Sequence, residues 1–203
     1  MITAGIDCGA KSTKTIILKD REIIGKGKVL TGFDQEKAVA ESLEQAIKAG
    51  GISKDDIQKI YGTGSGQKAV KMADDSVNEI KAMSKGANFF FPNARTVTDV
   101  GAEEGRAAKI DEKGNPLDFA INEKCAAGAG AFIEAMARAL EVTIEEMGPL
   151  CLESDKQIPM NAQCAIFAES EVVGLIHAKT DKPDISKAIH DSMASRIVSM
   201  IRR

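Results

Sequence analysis

The sequence contains no C-x-x-C pair, although it has four cysteines, Cys8, Cys125, Cys151 and Cys164. It has only two histidines, and neither lies close to a cysteine in the chain. Zinc ribbons and ferredoxins take their ligands from closely spaced cysteines or histidines, so this spacing excludes both within one chain. We expect the four thiols to be free or to act as metal ligands, because disulfides do not persist in a reducing cytoplasm.

Long apolar runs and an excess of positive charge are also missing. No run approaches the ~18 apolar residues of a membrane-spanning helix, and the N-terminus lacks the pattern of a signal peptide. With 27 basic and 30 acidic side chains and no Lys/Arg cluster, the chain is not built to bind nucleic acid. We therefore expect a cytoplasmic protein with neither a membrane nor a nucleic-acid partner.

What the sequence does contain is an internal repeat of three strands followed by a helix. Runs rich in β-branched residues predict six strands, three in each copy: 2–7, 13–19, 22–30, 95–101, 105–111 and 117–122. Apolar periodicity predicts the two following helices at 35–49 and 129–140. We place an N-terminal domain at 1–92 and a C-terminal domain at 93–203, and interpret phenylalanines 89–91 as an apolar plug between them.

Each copy opens with an Asp-x-Gly turn, "GIDCGAKSTK" in the first and "VTDVGAEEGRAAK" in the second. In the first turn, Asp7 can hold Mg²⁺ through water, and Gly9 lets backbone N–H groups approach a phosphate. The hydroxyl groups of Ser12 and Thr13 can donate to phosphate oxygens. A simple β-hairpin would use the same residues, so one such turn does not decide between hairpin and nucleotide site.

The second turn, about ninety residues later at Asp99, favours nucleotide binding. Two such turns facing one another would hold a triphosphate and its metal from both sides, which predicts ATP and Mg²⁺ as ligands. The stretch "GTGSG" at 62–66 offers a further loop where backbone can meet a ligand, although a simple strand–helix turn would look the same.

The paired Asp-x-Gly hairpins resemble the duplicated, ribonuclease H-like α/β fold of actin, Hsp70 and sugar kinases. More narrowly, "KCAAGAGAFIEAMA" at 124–137 and "NAQCAIFAESEVV" at 161–173 resemble one ATPase family. Its members are activators of 2-hydroxyacyl-CoA dehydratases and ATPase subunits of benzoyl-CoA reductases. The resemblance implies an iron–sulfur ATPase that drives a low-potential electron onto an acyl-CoA reductase or dehydratase component. It also implies a second, identical or paralogous ATPase subunit and a ferredoxin-type electron donor.

Matching the motifs position by position assigns roles to residues of this chain. The first phosphate motif comprises Asp7, Gly9, Thr13 and Lys14, with Ser12 between them. The second comprises Asp99 and Gly101, followed by Ala102. The cluster ligands implied by the resemblance are Cys125 and Cys164, while Cys8 and Cys151 are interpreted as structural thiols.

The second motif departs from the family pattern. Activators usually have Asp-Ile-Gly-Gly-Gln-Asp, whereas this chain has "DVGAEE", so Glu103 and Glu104 replace the Gln and the last Asp. A carboxylate can orient or deprotonate water, which makes both glutamates candidates for positioning the nucleophile. Because "VGAEEGRAAK" is closer to the benzoyl-CoA reductase subunits, such a subunit is our first interpretation. The alternative is a homodimeric activator of a 2-hydroxyacyl-CoA dehydratase.

The two family cysteines predict a shared cluster. A 4Fe–4S cube needs four thiolates, and each chain supplies Cys125 and Cys164, which are 39 residues apart. We therefore expect one cluster between two subunits related by a two-fold or pseudo-two-fold axis. Both cysteines precede helical patterns, and a helix N-terminus stabilises a thiolate. Two buried structural thiols are the simpler alternative.

Two other functions fit the fold. One is a small-molecule kinase of the same superfamily, which needs no paired cysteines, and the other is a non-enzymatic regulatory or assembly module. A protein that is brown from an iron–sulfur cluster when purified without oxygen would exclude both. The family continues beyond "SRIVSMIRR" into a strand and a Gly-Gly loop that holds the adenosine. We therefore expect a longer natural protein, with the second repeat incomplete here.

Overall fold

The computed structural model describes residues 1–122, 130–160 and 165–202. The chain divides into two compact units, Met1–Gly86 and Ala87–Arg203. Within the described ranges no helix is both long enough and apolar enough to cross a lipid bilayer.

The first unit is built on a five-stranded sheet in the order β3-β2-β1-β4-β5. Its strands are β1 (Ile2–Cys8), β2 (Ser12–Lys19), β3 (Glu22–Leu30), β4 (Lys59–Thr63) and β5 (Asp75–Ser76). Strands β1 to β3 form an antiparallel meander, and β4 adds in parallel to the other side of β1. This arrangement brings the ends of β1 and β4 together beside the turn between β1 and β2.

Helix α1 (Gln35–Gly50) covers one face of this sheet. It begins because the Asp34 carboxylate accepts a hydrogen bond from the N–H of Lys37, and it ends at Gly51, whose φ is 63°. The helix comes close to β3, where a Cβ on Gly25 or Gly27 would collide with α1 carbonyls. The core between helix and sheet is formed by apolar residues from both, together with Val70 from the segment after β4: Ala4, Ile6, Cys8, Ile17, Val39, Leu43, Ala46, Ile60 and Val70.

Helix α2 (Glu79–Phe90) follows β5 and buries Ile80 and Ser84. Phenylalanines 89, 90 and 91 lie at its end with 37, 61 and 68 % of their surfaces exposed. The interpretation of these residues as an apolar plug between the two domains stays a prediction. Helix α2 buries Ile80 and Ser84 in its first half, and the three phenylalanines follow later in the chain.

In its described residues, the second unit combines a three-stranded antiparallel sheet with four helices. The strands, in the order β6-β7-β8, are β6 (Thr96–Val100), β7 (Gly105–Ile110) and β8 (Pro116–Asn122). The helices are α3 (Gly130–Ala139), α4 (Ile144–Leu152), α5 (Ala165–His177) and α6 (Lys182–Ile201). Their core consists of side chains from all four helices and the turn after α3: Phe132, Met136, Ala137, Leu140, Met147, Ala168, Val172, Ile185, Ile189 and Met193.

A buried carboxylate on helix α6 forms hydrogen bonds with the segment that follows α4. Asp184, in the first turn of α6, accepts hydrogen bonds from Lys156 Nζ at 2.6 Å and Ser154 Oγ at 2.7 Å. The hydrogen bond from Lys156, followed by the one from Ser154, holds the pKa of Asp184 below its ordinary value. The ionised form is therefore the one that stabilises the fold.

Replacing this carboxylate should change how stability depends on pH. Because folding lowers the pKa of Asp184, its contribution is present above the unfolded value of about 3.9 and is lost as the pH falls through the folded value. We expect Asp184→Asn to lower the melting temperature at pH 7 and to approach the wild type below about pH 4. Asp191→Asn, which breaks only the exposed pair with Lys187, is the control. A deficit that is equally large at pH 3 and pH 7 would contradict this role.

Candidate nucleotide-binding site

The turn between β1 and β2 is closed by a backbone hydrogen bond from Gly9 N–H to the Ser12 carbonyl, at 3.3 Å. A Cβ on Gly9 would lie 3.0 Å from that carbonyl oxygen, closer than such contacts normally come. Glycine is thus favoured here, because any side chain would press on the carbonyl that closes the turn. The closure brings Asp7, on β1, opposite Lys14, on β2.

Asp7 and Lys14 form an accessible ion pair beside this turn. Lys14 Nζ lies 2.9 Å from Asp7 Oδ2, and the Lys14 and Asp7 side chains are 47 % and 38 % exposed respectively. A pair this open contributes little to stability, so its groups can exchange partners for a ligand at small cost. A carboxylate suited to Mg²⁺ therefore lies next to an ammonium suited to phosphate.

The glycine-rich loop at 62–66 folds back against the same aspartate. Gly64 has a φ of 95°, and a Cβ there would lie 2.5 Å from Asp7 Oδ1. The N–H of Gly66 donates to the Cys8 carbonyl at 2.8 Å. The loop thus forms one wall of the Asp7 site, which supports the interpretation that its backbone meets a ligand.

Thr13 lies on the wrong face of β2 to bind a phosphate through its hydroxyl. Side chains alternate between the two faces of a strand, and Thr13 is fully buried. Its hydroxyl is 3.0 Å from the hydroxyl of Thr31 and 3.7 Å from the sulfur of Cys8. The prediction of a phosphate-binding Thr13 side chain is corrected by this geometry. Cys8 is itself fully buried, as expected for a small apolar residue.

The second Asp-x-Gly turn closes in the same way as the first. The N–H of Gly101 donates to the Glu104 carbonyl at 2.8 Å, and Asp99 stands opposite Arg106 in the β6–β7 register. Arg106 Nη1 lies 3.2 Å from Asp99 Oδ2, and Nη2 lies 2.9 Å from Glu104 Oε2. One guanidinium group therefore holds two of the predicted catalytic carboxylates.

Arg106 is a site residue that the motifs did not predict. Its side chain is only 11 % exposed, whereas Asp99 and Glu104 keep 47 % and 32 % of their side-chain surface open. The signal was present in the sequence, because a basic residue follows each motif aspartate by seven positions: Lys14 after Asp7 and Arg106 after Asp99. In each hairpin the strand register places that residue directly opposite the aspartate.

The geometry separates the roles of the two adjacent glutamates. Glu104 forms an ion pair with Arg106, whereas Glu103 is exposed at the tip of the turn. No other residue in the described part of the chain forms a hydrogen bond or ion pair with the Glu103 carboxylate. Of the two candidates for positioning water, Glu103 has the carboxylate that is available.

The second turn is joined to the start of helix α3. The carbonyls of Gly101 and Ala102 accept hydrogen bonds from the N–H groups of Gly130 and Ala131, at 2.7 and 2.9 Å. These donors belong to the first turn of α3, whose N–H groups have no partners within the helix. The predicted nucleotide turn therefore caps the helix that follows the Cys125 segment.

The comparisons with known proteins assign the chain to a family of ATPases. A sequence profile of the BadF/BadG/BcrA/BcrD ATPase family matches residues 4–203. The chain belongs to this family. It is 37 % identical over 203 residues to the activator of lactoyl-CoA dehydratase from Anaerotignum propionicum, covering all of this chain and 78 % of the relative. A benzoyl-CoA reductase subunit from Thauera aromatica is 29 % identical over 206 residues, which cover 99 % of this chain and 73 % of that relative.

Two solved activator structures have the same fold as this member of the ATPase family. Component A of (R)-2-hydroxyglutaryl-CoA dehydratase from Acidaminococcus fermentans superposes with a TM-score of 0.95 at 35 % identity, over the whole chain and 78 % of that structure. The activator of 2-hydroxyisocaproyl-CoA dehydratase from Clostridium difficile, with bound ADPNP, gives 0.92 at 33 % identity, over the whole chain and 76 % of that structure. The predicted family and the α/β ATPase class are confirmed.

Within this ATPase family, the comparisons favour the alternative interpretation over the first. The activators are more similar in sequence than the reductase subunit, despite the Glu103–Glu104 pair that had suggested a reductase. The duplication, the incomplete second repeat and the domain limits at 92 and 93 stay predictions.

The predicted cluster cysteines, Cys125 and Cys164, lie outside the described residues. The helices expected after them are present, since α3 begins at Gly130 and α5 begins at Ala165. Elsewhere in the described chain no group of three or more His, Cys, Asp and Glu side chains could hold a metal ion. Burial raises the pKa of the Cys151 thiol, which disfavours the thiolate form that a metal requires.

Proposed function

We propose that this chain is the ATP-hydrolysing activator of a 2-hydroxyacyl-CoA dehydratase and supplies that enzyme with a low-potential electron. The observation that carries the proposal is the similarity to dehydratase activators along the whole chain, at 33–37 % identity. A benzoyl-CoA reductase subunit is the second candidate, because the reductase subunit from Thauera aromatica is also similar over nearly the whole chain.

The residues of the two turns fit ATP and Mg²⁺. Asp7 and Asp99 each lie one residue before the end of a strand and carry a partly exposed carboxylate. Carboxylate oxygens are the ligands that a hydrated Mg²⁺ prefers. Lys14 is placed to bind a phosphate oxygen. Mg²⁺ would supply charge neutralisation of the phosphates during hydrolysis. Gly9, Ser12, Gly101 and Ala102 form the two turns that present these groups.

In this proposal Glu103 positions the water that attacks the γ-phosphate. Glu103→Ala should lower ATP turnover by about 10²-fold, the usual scale for losing one acid–base or water-positioning group. Glu103→Gln should keep part of the rate, since an amide can still orient water. The matched control is Glu112→Ala, another exposed glutamate of the same unit, with 88 % of its side chain open. Wild-type turnover in Glu103→Ala would show that the residue is a bystander.

The electron carrier in this proposal is a 4Fe–4S cluster held by Cys125 and Cys164 of two identical subunits. The position of each cysteine before a helix, α3 or α5, supports it, since N-terminal helix dipoles stabilise thiolates. The partners are a second copy of the chain, a ferredoxin-type donor and the dehydratase component.

Reconstitution with each partner distinguishes the two candidates. The full chain, purified without oxygen, is combined with ATP, Mg²⁺ and a strong reductant, and then with either the dehydratase component or the benzoyl-CoA reductase core. We expect dehydratase activity to appear only when both the chain and ATP are present. Activity with the reductase core and none with the dehydratase component would overturn the proposal in favour of the second candidate.

A further inference from the structure

The basic residues of the two hairpins differ in how firmly they are held. Lys14 is 47 % exposed and pairs with Asp7 at 2.9 Å. Arg106 is 11 % exposed and pairs with two carboxylates, those of Asp99 at 3.2 Å and Glu104 at 2.9 Å. An exposed pair can exchange partners at small cost, whereas separating a nearly buried charge from its partners costs far more. The first hairpin therefore offers its cation to a ligand, and the second keeps its cation in place.

The Arg106 guanidinium group joins strand β6 to the turn that follows it. Nη1 donates to Asp99 on β6, and Nη2 donates to Glu104 at the other side of the turn. The group also lies next to the turn backbone, since a Cβ on Gly101 would be 3.7 Å from Nη1. Because the guanidinium group is planar and rigid, its donors fix the two carboxylates relative to each other.

The two hairpins also differ in charge. Residues 7–14 contain one acidic and two basic residues, whereas residues 99–106 contain three acidic residues and one basic residue. A triphosphate is attracted to the first of these segments and repelled by the second unless a cation lies between them. The second hairpin therefore has the charge of a metal-binding segment, in which Asp99 is a half-exposed carboxylate.

We propose that Arg106 is a positioning residue: its guanidinium group holds the Asp99 carboxylate in the orientation that binds the Mg²⁺ of Mg·ATP, and it does not touch the nucleotide. The inference rests on the proposed ATP site. The hydrogen bond from Nη1 uses Oδ2 of Asp99, and a carboxylate has a second oxygen with which to bind a metal or a metal-bound water. Hydrogen-bond partners that orient a metal-binding side chain typically contribute about 10- to 100-fold to metal affinity.

Arg106→Lys tests the assignment, because it keeps the positive charge and removes the planar pair of donors. Calorimetry with the full chain gives the Kd for Mg·ADPNP and, in the presence of EDTA, the Kd for ADPNP alone. We expect the first to rise about 10-fold, since the Asp99 carboxylate loses its fixed orientation. The second should stay at the wild-type value, which also shows that the variant is folded.

Lys14→Gln is the comparison in the first hairpin. In the proposed site Lys14 binds a phosphate oxygen directly, so its loss should raise the Kd for ADPNP with and without Mg²⁺. Arg95→Lys is the matched control for the arginine-to-lysine change. Arg95 belongs to the same unit, is 47 % exposed and lies 3.9 Å from Glu112, so this variant should bind both forms of the nucleotide as the wild type does.

Three outcomes would overturn the proposal in different ways. An unchanged Kd for Mg·ADPNP in Arg106→Lys refutes the positioning role and leaves the ATP site intact. An equal rise with and without Mg²⁺, as expected for Lys14→Gln, means that the guanidinium group contacts phosphate, which refutes the assignment to the metal. No binding of Mg·ADPNP by the wild-type chain refutes the proposed function itself, and the inference with it.

Discussion

Cys125→Ser and Cys164→Ser are each expected to prevent the protein from holding the proposed iron–sulfur cluster. In the proposed arrangement two subunits supply two thiolates each, and a 4Fe–4S cube requires all four. By symmetry, one substitution in the chain removes two of the four ligands from the dimer. We therefore expect iron and sulfide to fall from about four of each per dimer to near zero, with loss of the visible absorption.

The same variants should weaken the dimer, because the cluster would join the subunits covalently. Light scattering under anaerobic conditions measures this directly. Cys151→Ser is the control, since Cys151 is partly buried, its pKa is raised by burial, and it should keep the wild-type iron content. Full iron content in Cys125→Ser, or a monomer with a complete cluster, would refute the shared arrangement.

Asp99→Asn should lower the ATPase rate by about 10²-fold or more, because in the proposed site it removes the charge that would stabilise the metal during phosphoryl transfer. Asp99 lies near the end of β6 with its side chain half exposed and pairs with Arg106 at 3.2 Å. Asparagine keeps the size of the side chain and can still accept that hydrogen bond. Since Arg106 also keeps its ion pair with Glu104, the melting temperature should change little.

Asp118→Asn provides the control for this experiment, because Asp118 is exposed on β8 of the same sheet. It should hydrolyse ATP at the wild-type rate. The assignment of Asp99 would fail if Asp99→Asn kept full turnover while its folding was unchanged.

The strands and the two turns were predictable because their signals are local. Alternating β-branched residues predicted β1 to β3 and β6 to β8 within about two residues at each end. The Asp-x-Gly motifs predicted two hairpin turns, and both turns are closed by the same backbone hydrogen bond. For such features the sequence within a few residues determines the structure.

The contacts between strands were harder to predict, because they depend on register. Thr13 matches the family motif, yet the alternation of β2 buries its hydroxyl. Arg106 bonds to both Asp99 and Glu104 only because β7 pairs with β6 in one particular register. The place of Thr63 beside Asp7 depends on a parallel pairing of strands more than fifty residues apart.

The exposure of phenylalanines 89–91 shows a different limit of prediction from sequence. Their aromatic character predicted burial, since aromatic residues usually fill cores. Which side chains a helix buries depends instead on which of its faces packs against the rest of the chain. Helix α2 buries Ile80 and Ser84 and ends at Phe90.

The central claim, that ATP hydrolysis drives an electron from this chain to a dehydratase, has one direct test. The anaerobically purified and reduced protein is mixed with the dehydratase component, and its visible absorption is followed after adding Mg·ATP, Mg·ADPNP or no nucleotide. The account predicts rapid reoxidation of the cluster with Mg·ATP and none with Mg·ADPNP or without nucleotide. Reoxidation at the same rate under all three conditions, or in none of them, would contradict it.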